Sequence, residues 1–325
     1  MRELEFKAAI REGLAQEMHR DETVYVFGED VAYYGGILGV TEGMLEEFGP
    51  ERVMDMPISE TGFTGMAVGA ALIGLRPVIE MQFTGLITVA MDPLVNTGAK
   101  ARYVHDGAMS VPMVVRSPHM MHGNAYMSQA LETWFTHIPG FKVVTPSTPA
   151  DAKGLMITAI RDPDPVLYVE HEDLYKNTGP VPNDLSTVPF GKASVRREGS
   201  DVTIVAWLAA VQVAESAAEE LAANGISAEI IDPRTLVPFD TECVLASVRK
   251  TGRLVIVHEA VKRGGFGGEI AAMVAGSDTV SKLKAPIERV ANPGVPVPHA
   301  KRLNRAVLPD NQDVISAVNR TLGRS

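Results

Sequence analysis

The sequence predicts an α/β protein made of two parallel-sheet domains, and three observations predict it. Short β-rich runs alternate with helical stretches along nearly all of the 325 residues. Several runs are almost continuously apolar, as strands covered by helices on both faces must be. The alternation is interrupted once, over Glu172–Asp201, and then restarts.

In chain order, VYVFGED (Val24–Asp30), RVMDMP (Arg52–Pro57), RPVIEMQ (Arg76–Gln82), VPMVVRS (Val111–Ser117), KVVTPS (Lys142–Ser147) and VLYVEH (Val166–His171) predict strands. Helices are predicted between them at Thr61–Leu75, Ala90–Val104, Leu131–His137 and Ala150–Arg161. Such alternation gives a mostly parallel sheet with helices on both faces. The segment NTGPVPNDLSTVPFG is rich in Gly, Pro and polar residues and predicts a linker. Beyond it, DVTIVAWLA, ISAEIID and RLVIVHE predict strands, and Val211–Ala223, Thr241–Lys250 and Gln312–Leu322 predict helices. The expected domains are residues 1–185 and 186–325.

Composition narrows the function. Hydrophobic residues make up 46% and charged residues 22%, the balance of an ordinary globular protein. Acidic residues outnumber basic ones 40 to 30, a net charge of −10. An acidic surface argues against general binding of nucleic acid or anionic membrane, because phosphates need a basic face. The single cysteine, Cys243, excludes an internal disulfide and reads as a small buried hydrophobe. This usage fits a reducing cytoplasm. The opening MRELEFKAAIREGLAQEM carries Glu3, Glu5, Glu12 and Glu17, unlike a secretory or mitochondrial address. The longest apolar stretches, Met66–Leu75 and Val202–Ala214, are too short to span a bilayer.

Common catalytic motifs do not account for the chain. GGFGG within Arg263–Val274 matches neither a dinucleotide fingerprint nor a P-loop, and reads as a tight loop with close helix packing. No G-x-S-x-G elbow and no H-E-x-x-H zinc pattern occur. His119 and His122 are expected in a loop after the strand ending at Ser117. His258–Glu259 is expected at a strand end, the edge where sheets bind ligands. The segment MPISETGFTGMAVGAALIGLRPVIEMQF (Met56–Phe83) differs. Glu60 falls at the carboxyl end of a strand, where a small-residue helix begins. From chemistry alone, a first-turn acid complementing the helix dipole is the simpler account of Glu60.

That segment resembles the beta chain of the first component of 2-oxo acid dehydrogenase complexes, the thiamine-diphosphate-dependent family acting on pyruvate, branched-chain 2-oxo acids or acetoin. The resemblance continues through GAKARY, VPMVVRSP, SQALETWFTHIPGFKVVTPSTPADAKGL, AIRDPDPVLYVEHEDLY, IDPRTLVPFD and HEAVKRGGFGGEIAA, in order and at matching spacing. It implies a pyrimidine-binding domain followed by a transketolase C-terminal-like domain. It also implies a site shared with an alpha chain, which holds the diphosphate and Mg2+ through a G-D-G motif that this sequence lacks.

The glutamate of the family's P-I-S-E motif falls on Glu60. By resemblance, Glu60 hydrogen-bonds the aminopyrimidine ring nitrogen and drives loss of the thiazolium proton; positioned acid–base groups contribute about 10²–10⁴-fold. Ile58, Met81 and Leu86 are the other implied cofactor contacts, Leu86 standing where relatives usually carry an aromatic. A structural potassium ion is implied at carbonyls of Met113, Ala159, Ile160, Asp162 and Asp164. Relatives usually carry a histidine before S-Q; here that position is Met127. Tyr126, His122 and His119 are the nearby groups that could replace it.

The implied function is decarboxylation of a 2-oxo acid, pyruvate or branched-chain, with transfer of the acyl group to lipoamide. The implied partners are an alpha subunit, in an alpha2beta2 heterotetramer, and a lipoyl-bearing acyltransferase. The Met127 and Leu86 departures keep acetoin cleavage or a split transketolase-like ketol transfer open as alternatives. A non-catalytic scaffold is the third, and retention of Glu60 argues against it.

Overall fold

A computed structural model describes residues 1–324. In chain order its strands are β1 (Arg2–Glu5), β2 (Val24–Gly28), β3 (Val53–Asp55), β4 (Arg76–Glu80), β5 (Val114–His119), β6 (Lys142–Val144), β7 (Val166–His171), β8 (Thr178–Val181), β9 (Ser194–Arg197), β10 (Val202–Ala206), β11 (Ala228–Asp232), β12 (Thr235–Val237), β13 (Leu254–Val261) and β14 (Glu288–Asn292). The helices are α1 (Phe6–Arg20), α2 (Met44–Phe48), α3 (Glu60–Leu72), α4 (Ala101–Val104), α5 (Glu132–Thr136), α6 (Pro149–Arg161), α7 (Ala210–Ala223), α8 (Thr241–Thr251), α9 (Gly267–Ala275), α10 (Lys301–Asn304) and α11 (Asn311–Thr321).

Two sheets organise the chain. The first runs in the order β12-β6-β7-β5-β4-β2-β3. It is parallel except for β12, which pairs antiparallel with β6. The second runs β14-β13-β10-β11-β9 and is parallel except for the edge strand β9. All six residues of β7 and all five of β10 are buried, which explains why their sequences are nearly continuously apolar. One hydrophobic core runs through both halves, from Phe27 and Phe63 to Trp207, Ile256 and Phe266.

Local sequence sets the helix ends. Thr148 caps α6 by accepting from the Asp151 N–H, with Pro149 at the first helical position. Asp240 caps α8 in the same way, and Gly252 closes it in the left-handed conformation. Asp310 and Asp313 form a reciprocal capping box on α11.

Several elements differ from the sequence reading. The helix expected over Ala90–Val104 is broken into a π-turn at Asp92–Gly98 and the single turn α4. Pro93 has no N–H to give the first turn, and Gly98 weakens its end. Helix α1 goes unmarked in the sequence because charges interrupt its apolar face; it packs on α6, with Gly13 against the Lys153 backbone. The predicted linker contains β8, which pairs antiparallel with β1, and β9 follows it. Strand β5 extends two residues past Ser117, so His119 ends the strand rather than lying in the following loop. His258 and Glu259 lie inside β13, not at its end. No helix among the described residues is long and apolar enough to cross a membrane.

Candidate active site at a strand-order reversal

The chain leaves β2 toward β3 on one side, then returns to β4 on the other side of β2. The carboxyl ends of β2 and β4 therefore flank a topological switch point, where open α/β sheets bind ligands. Glu29 follows β2, Ile58 and Glu60 follow β3, and Met81 follows β4.

Glu60 is the first residue of α3 and only 6% exposed, although it sits at the crevice. Glu29 is equally buried, and its Oε1 has no hydrogen-bond partner. Burial pushes the Glu29 carboxyl up, and the neighbouring charges of Glu60 and Asp30 push it further. Two buried carboxyls, one with an orphaned oxygen, are costly unless a ligand satisfies them. A flat heterocycle with ring nitrogens and an amino group fits that demand.

The floor beneath them is rigid. Arg116 on β5 is fully buried between Glu170 of β7 and Glu80 of β4, with Nε 2.7 Å from Glu170 Oε1. Tyr175 donates to the other Glu170 oxygen at 2.5 Å. The loop after β2 is tied to β3 by Asp55, which accepts from the N–H groups of Ala32 and Tyr33.

Other predicted residues fall at different depths. Ile58 is 87% exposed at the mouth of the crevice. Leu86 lies half-buried in a 3-10 turn, Thr84–Thr88. The Met81 side chain is wholly buried in the core, so only its backbone can edge the crevice. The carbonyls expected around potassium are already engaged. Met113 O accepts from Val166 N–H, Ala159 O from Asp162 N–H, and Ile160 O from Arg76. Lys142 lies on the Asp162 and Asp164 carboxylates.

The segment between β5 and α5 covers the Leu86 turn. A Cβ on Gly85 would lie 2.3 Å from the Tyr126 carbonyl oxygen. Tyr126 is 78% exposed, and Met127 packs against Gly123. Of the two histidines considered as replacements, His122 is hydrogen-bonded, while neither ring nitrogen of the buried His119 has a hydrogen-bond partner. His119 is 1% exposed, with Nε2 3.3 Å from Glu132. His122 Nε2 lies 2.9 Å from Asp173.

Sequence reasoning missed the groups behind His119. Trp207 stacks on His258 at 5.0 Å and donates to Glu132 Oε1 at 3.3 Å. His171 lies 2.8 Å from Glu259. Burial drives the His258 imidazole down to about 4. Burial opposes the charge on His171 too, but Glu259, together with Asp173 and Glu172, outweighs it and raises His171. His258–Glu259 stood out in the sequence as a pair; their partners did not, because they lie far off in the chain.

Comparisons with known proteins identify the family. Residues 2–178 match the Transketolase, pyrimidine binding domain family, and residues 191–314 match the Transketolase, C-terminal domain family. The chain is 44% identical to the pyruvate dehydrogenase E1 component subunit beta of Rickettsia felis over 316 residues, 97% of each chain. It is 42% identical to the mitochondrial subunit beta-1 of Arabidopsis thaliana, covering 100% of this chain and 91% of that one. It is also 42% identical to the 2-oxoisovalerate dehydrogenase subunit beta of Bacillus subtilis, over 97% of each chain. A solved split-gene transketolase, an inactive beta4 tetramer, shares the fold with a TM-score of 0.81 at 22% identity over 98% of each chain. The chain belongs to the thiamine-diphosphate-dependent family of 2-oxo acid dehydrogenase first-component beta subunits.

Proposed function

We propose that this chain supplies the pyrimidine half of a thiamine-diphosphate site, in an alpha2beta2 enzyme that decarboxylates a 2-oxo acid and passes the acyl group to lipoamide. The observation that carries the proposal is the buried Glu60 beside the unsatisfied Glu29 at the switch point. Thiamine diphosphate, when bound, supplies the carbon nucleophile and the electron sink. Glu60 holds a proton at the aminopyrimidine ring nitrogen, and Ile58, Leu86 and the Met81 backbone border the ring. Glu29 keeps its proton to higher pH than an ordinary glutamate, which limits charge repulsion on Glu60. The diphosphate and Mg2+ belong to the alpha chain, since no G-D-G occurs here.

Pyruvate or a branched-chain 2-oxo acid is the proposed substrate, a lipoyl-bearing acyltransferase the acceptor, and the cytoplasm the compartment. Residues 1–185 form the pyrimidine-binding unit, and residues 186–325 the second. Potassium at Met113, Ala159, Ile160, Asp162 and Asp164 would have to compete with the Arg76 guanidinium for the Ile160 and Asp162 carbonyls. A second reading, acetoin cleavage or ketol transfer, is favoured by one observation. Met127 carries no imidazole, and the exposed His122 is held by Asp173.

Calorimetry with thiamine diphosphate and Mg2+ tests the split site, on the chain alone and on the chain assembled with its alpha partner. Binding should be tight only in the assembly. Tight binding by the isolated chain would refute it.

A further inference from the structure

The segment Met120–Leu131 is held from two directions. The first domain takes His122: Glu172 Oε1 accepts from its backbone N–H at 2.7 Å, and Asp173 holds its ring. The second domain takes the residues on either side. Asn304 Nδ2 donates to the Met121 carbonyl at 2.6 Å, and His299 Nδ1 lies 2.9 Å from the Gly123 carbonyl. A carbonyl can only accept, so His299 carries its proton on Nδ1 there.

These anchors lead to the site in one step. A Cβ on Gly123 would lie 2.9 Å from the Met127 Cβ. Asn124 Oδ1 accepts from the N–H groups of Tyr126 and Met127 at 2.9 and 3.3 Å. Gln129 donates to the Tyr126 carbonyl at 2.8 Å, the same oxygen that faces Gly85. Asn304 is buried at the end of α10, while His299 is exposed just before that helix.

We propose that His299 and Asn304 of the second domain are positioning residues that seat Tyr126 and Met127 over the Gly85–Leu86 turn. The proposal rests on the active-site reading above. It gives the second domain a part in the acyl step, although it lies outside the pyrimidine crevice. Glu60 itself makes none of these contacts, so the carbon-acid step should respond less than the acyl step.

The test uses the chain assembled with its alpha partner and loaded with thiamine diphosphate. His299→Phe keeps a flat ring and deletes the donor; His299→Gln keeps a donor amide. Backbone amide exchange over residues 121–127 should quicken in His299→Phe. Acyl transfer to lipoamide should fall by about tenfold in kcat, the upper range for one lost neutral hydrogen bond. Proton–deuteron exchange at the thiazolium carbon should stay within about twofold of the parent, because that step needs no loop contact. His299→Gln should restore loop protection and acyl transfer, and Asn304→Asp should reproduce the Phe effect. Parent-like loop protection and acyl transfer in His299→Phe would overturn the proposal, as would a parallel loss of thiazolium exchange and thermal stability. A parent assembly that shows no thiazolium exchange sinks the functional reading instead, and loop protection still decides the positioning.

Discussion

Gly85 and the carbonyl of Tyr126 are in close contact: a Cβ at Gly85 would lie 2.3 Å from that oxygen. The obstacle is backbone, held in place by Gln129 at 2.8 Å, so it cannot swing aside as a side chain would. Gly85→Ala should therefore displace the Tyr126–Met127 segment or the Leu86 turn, at roughly 1–3 kcal/mol of overpacking. Thermal unfolding and acyl transfer measured together check this. An alanine variant with parent values in both would show that the contact relaxes freely.

Glu60→Gln separates fold from chemistry. The amide keeps the shape of the side chain and loses only a first-turn charge, worth about 0.3–1 kcal/mol at a helix start. It cannot hold the acidic proton, so deuteron exchange at the thiazolium carbon should slow by about 10²-fold or more. Cofactor affinity should change little. Exchange at the parent rate would remove Glu60 from its proposed role.

The sequence made the architecture legible where apolar runs were long. Strands such as VLYVEH and VTIVA needed only their own composition to be recognised, because both faces are covered. It failed where local breakers were passed over and where tertiary contact overrides local pattern. The chain Ala90–Val104 looks helical, yet Pro93 and Gly98 divide it. β12 is three residues long and joins a sheet whose other strands precede residue 172; no local signal announces that. At the site, Glu60 was visible through the residues around it. The orphaned Glu29 and the His299–Gly123 contact were not, because only folding brings those residues together.

Helix α3 makes a different prediction. Its buried side, Phe63, Ala67, Val68 and Ala71, packs within the chain, while Gly65 and Gly69 face nothing within 4 Å. The small-residue face at Gly65 and Gly69 thus has no close neighbour within this chain. Gly69→Leu should leave the isolated chain intact, or stabilise it by about 0.5–1 kcal/mol through helix propensity. It should block assembly with the partner. Sedimentation of the mixed chains decides: normal assembly of the leucine variant would place the interface elsewhere.

Asp232 makes stability depend on pH. It is wholly buried, and burial, reinforced by the charge of Asp151, pushes its carboxyl up to about 7. The unfolded value is 3.8, so between the two the folded chain binds more protons than the unfolded one. The Asp232 contribution to stability must then decline as pH rises through this window, by about 1.4 kcal/mol per unit. Asp232→Asn keeps an acceptor for the Arg234 N–H and an amide for Ser147, and it cannot ionise. Urea unfolding from about pH 4 to 8 should show the variant gaining on the parent as pH rises. A constant difference across that range would mean Asp232 does not titrate there.

Met127→His tests the acyl step from the opposite side to Glu60. Met127 packs on Gly123 under the exposed Tyr126, and a thioether neither donates a proton nor stabilises a developing charge. His122 is held by Asp173, while His119 is buried 3.3 Å from Glu132 with neither ring nitrogen hydrogen-bonded. If the natural reaction is acyl transfer to lipoamide, Met127→His should raise its rate, because the segment gains a free donor there. Thiazolium exchange should not change, since that step depends on Glu60. The two rates can be read on one preparation, with pyruvate and 2-oxoisovalerate in parallel. A rise in acyl transfer at constant exchange identifies position 127 as a point where a polar group limits that step. If acyl transfer stays flat or falls while exchange persists, the cofactor chemistry stands and the lipoamide reaction does not. Acetoin cleavage or ketol transfer then becomes the reaction to assay.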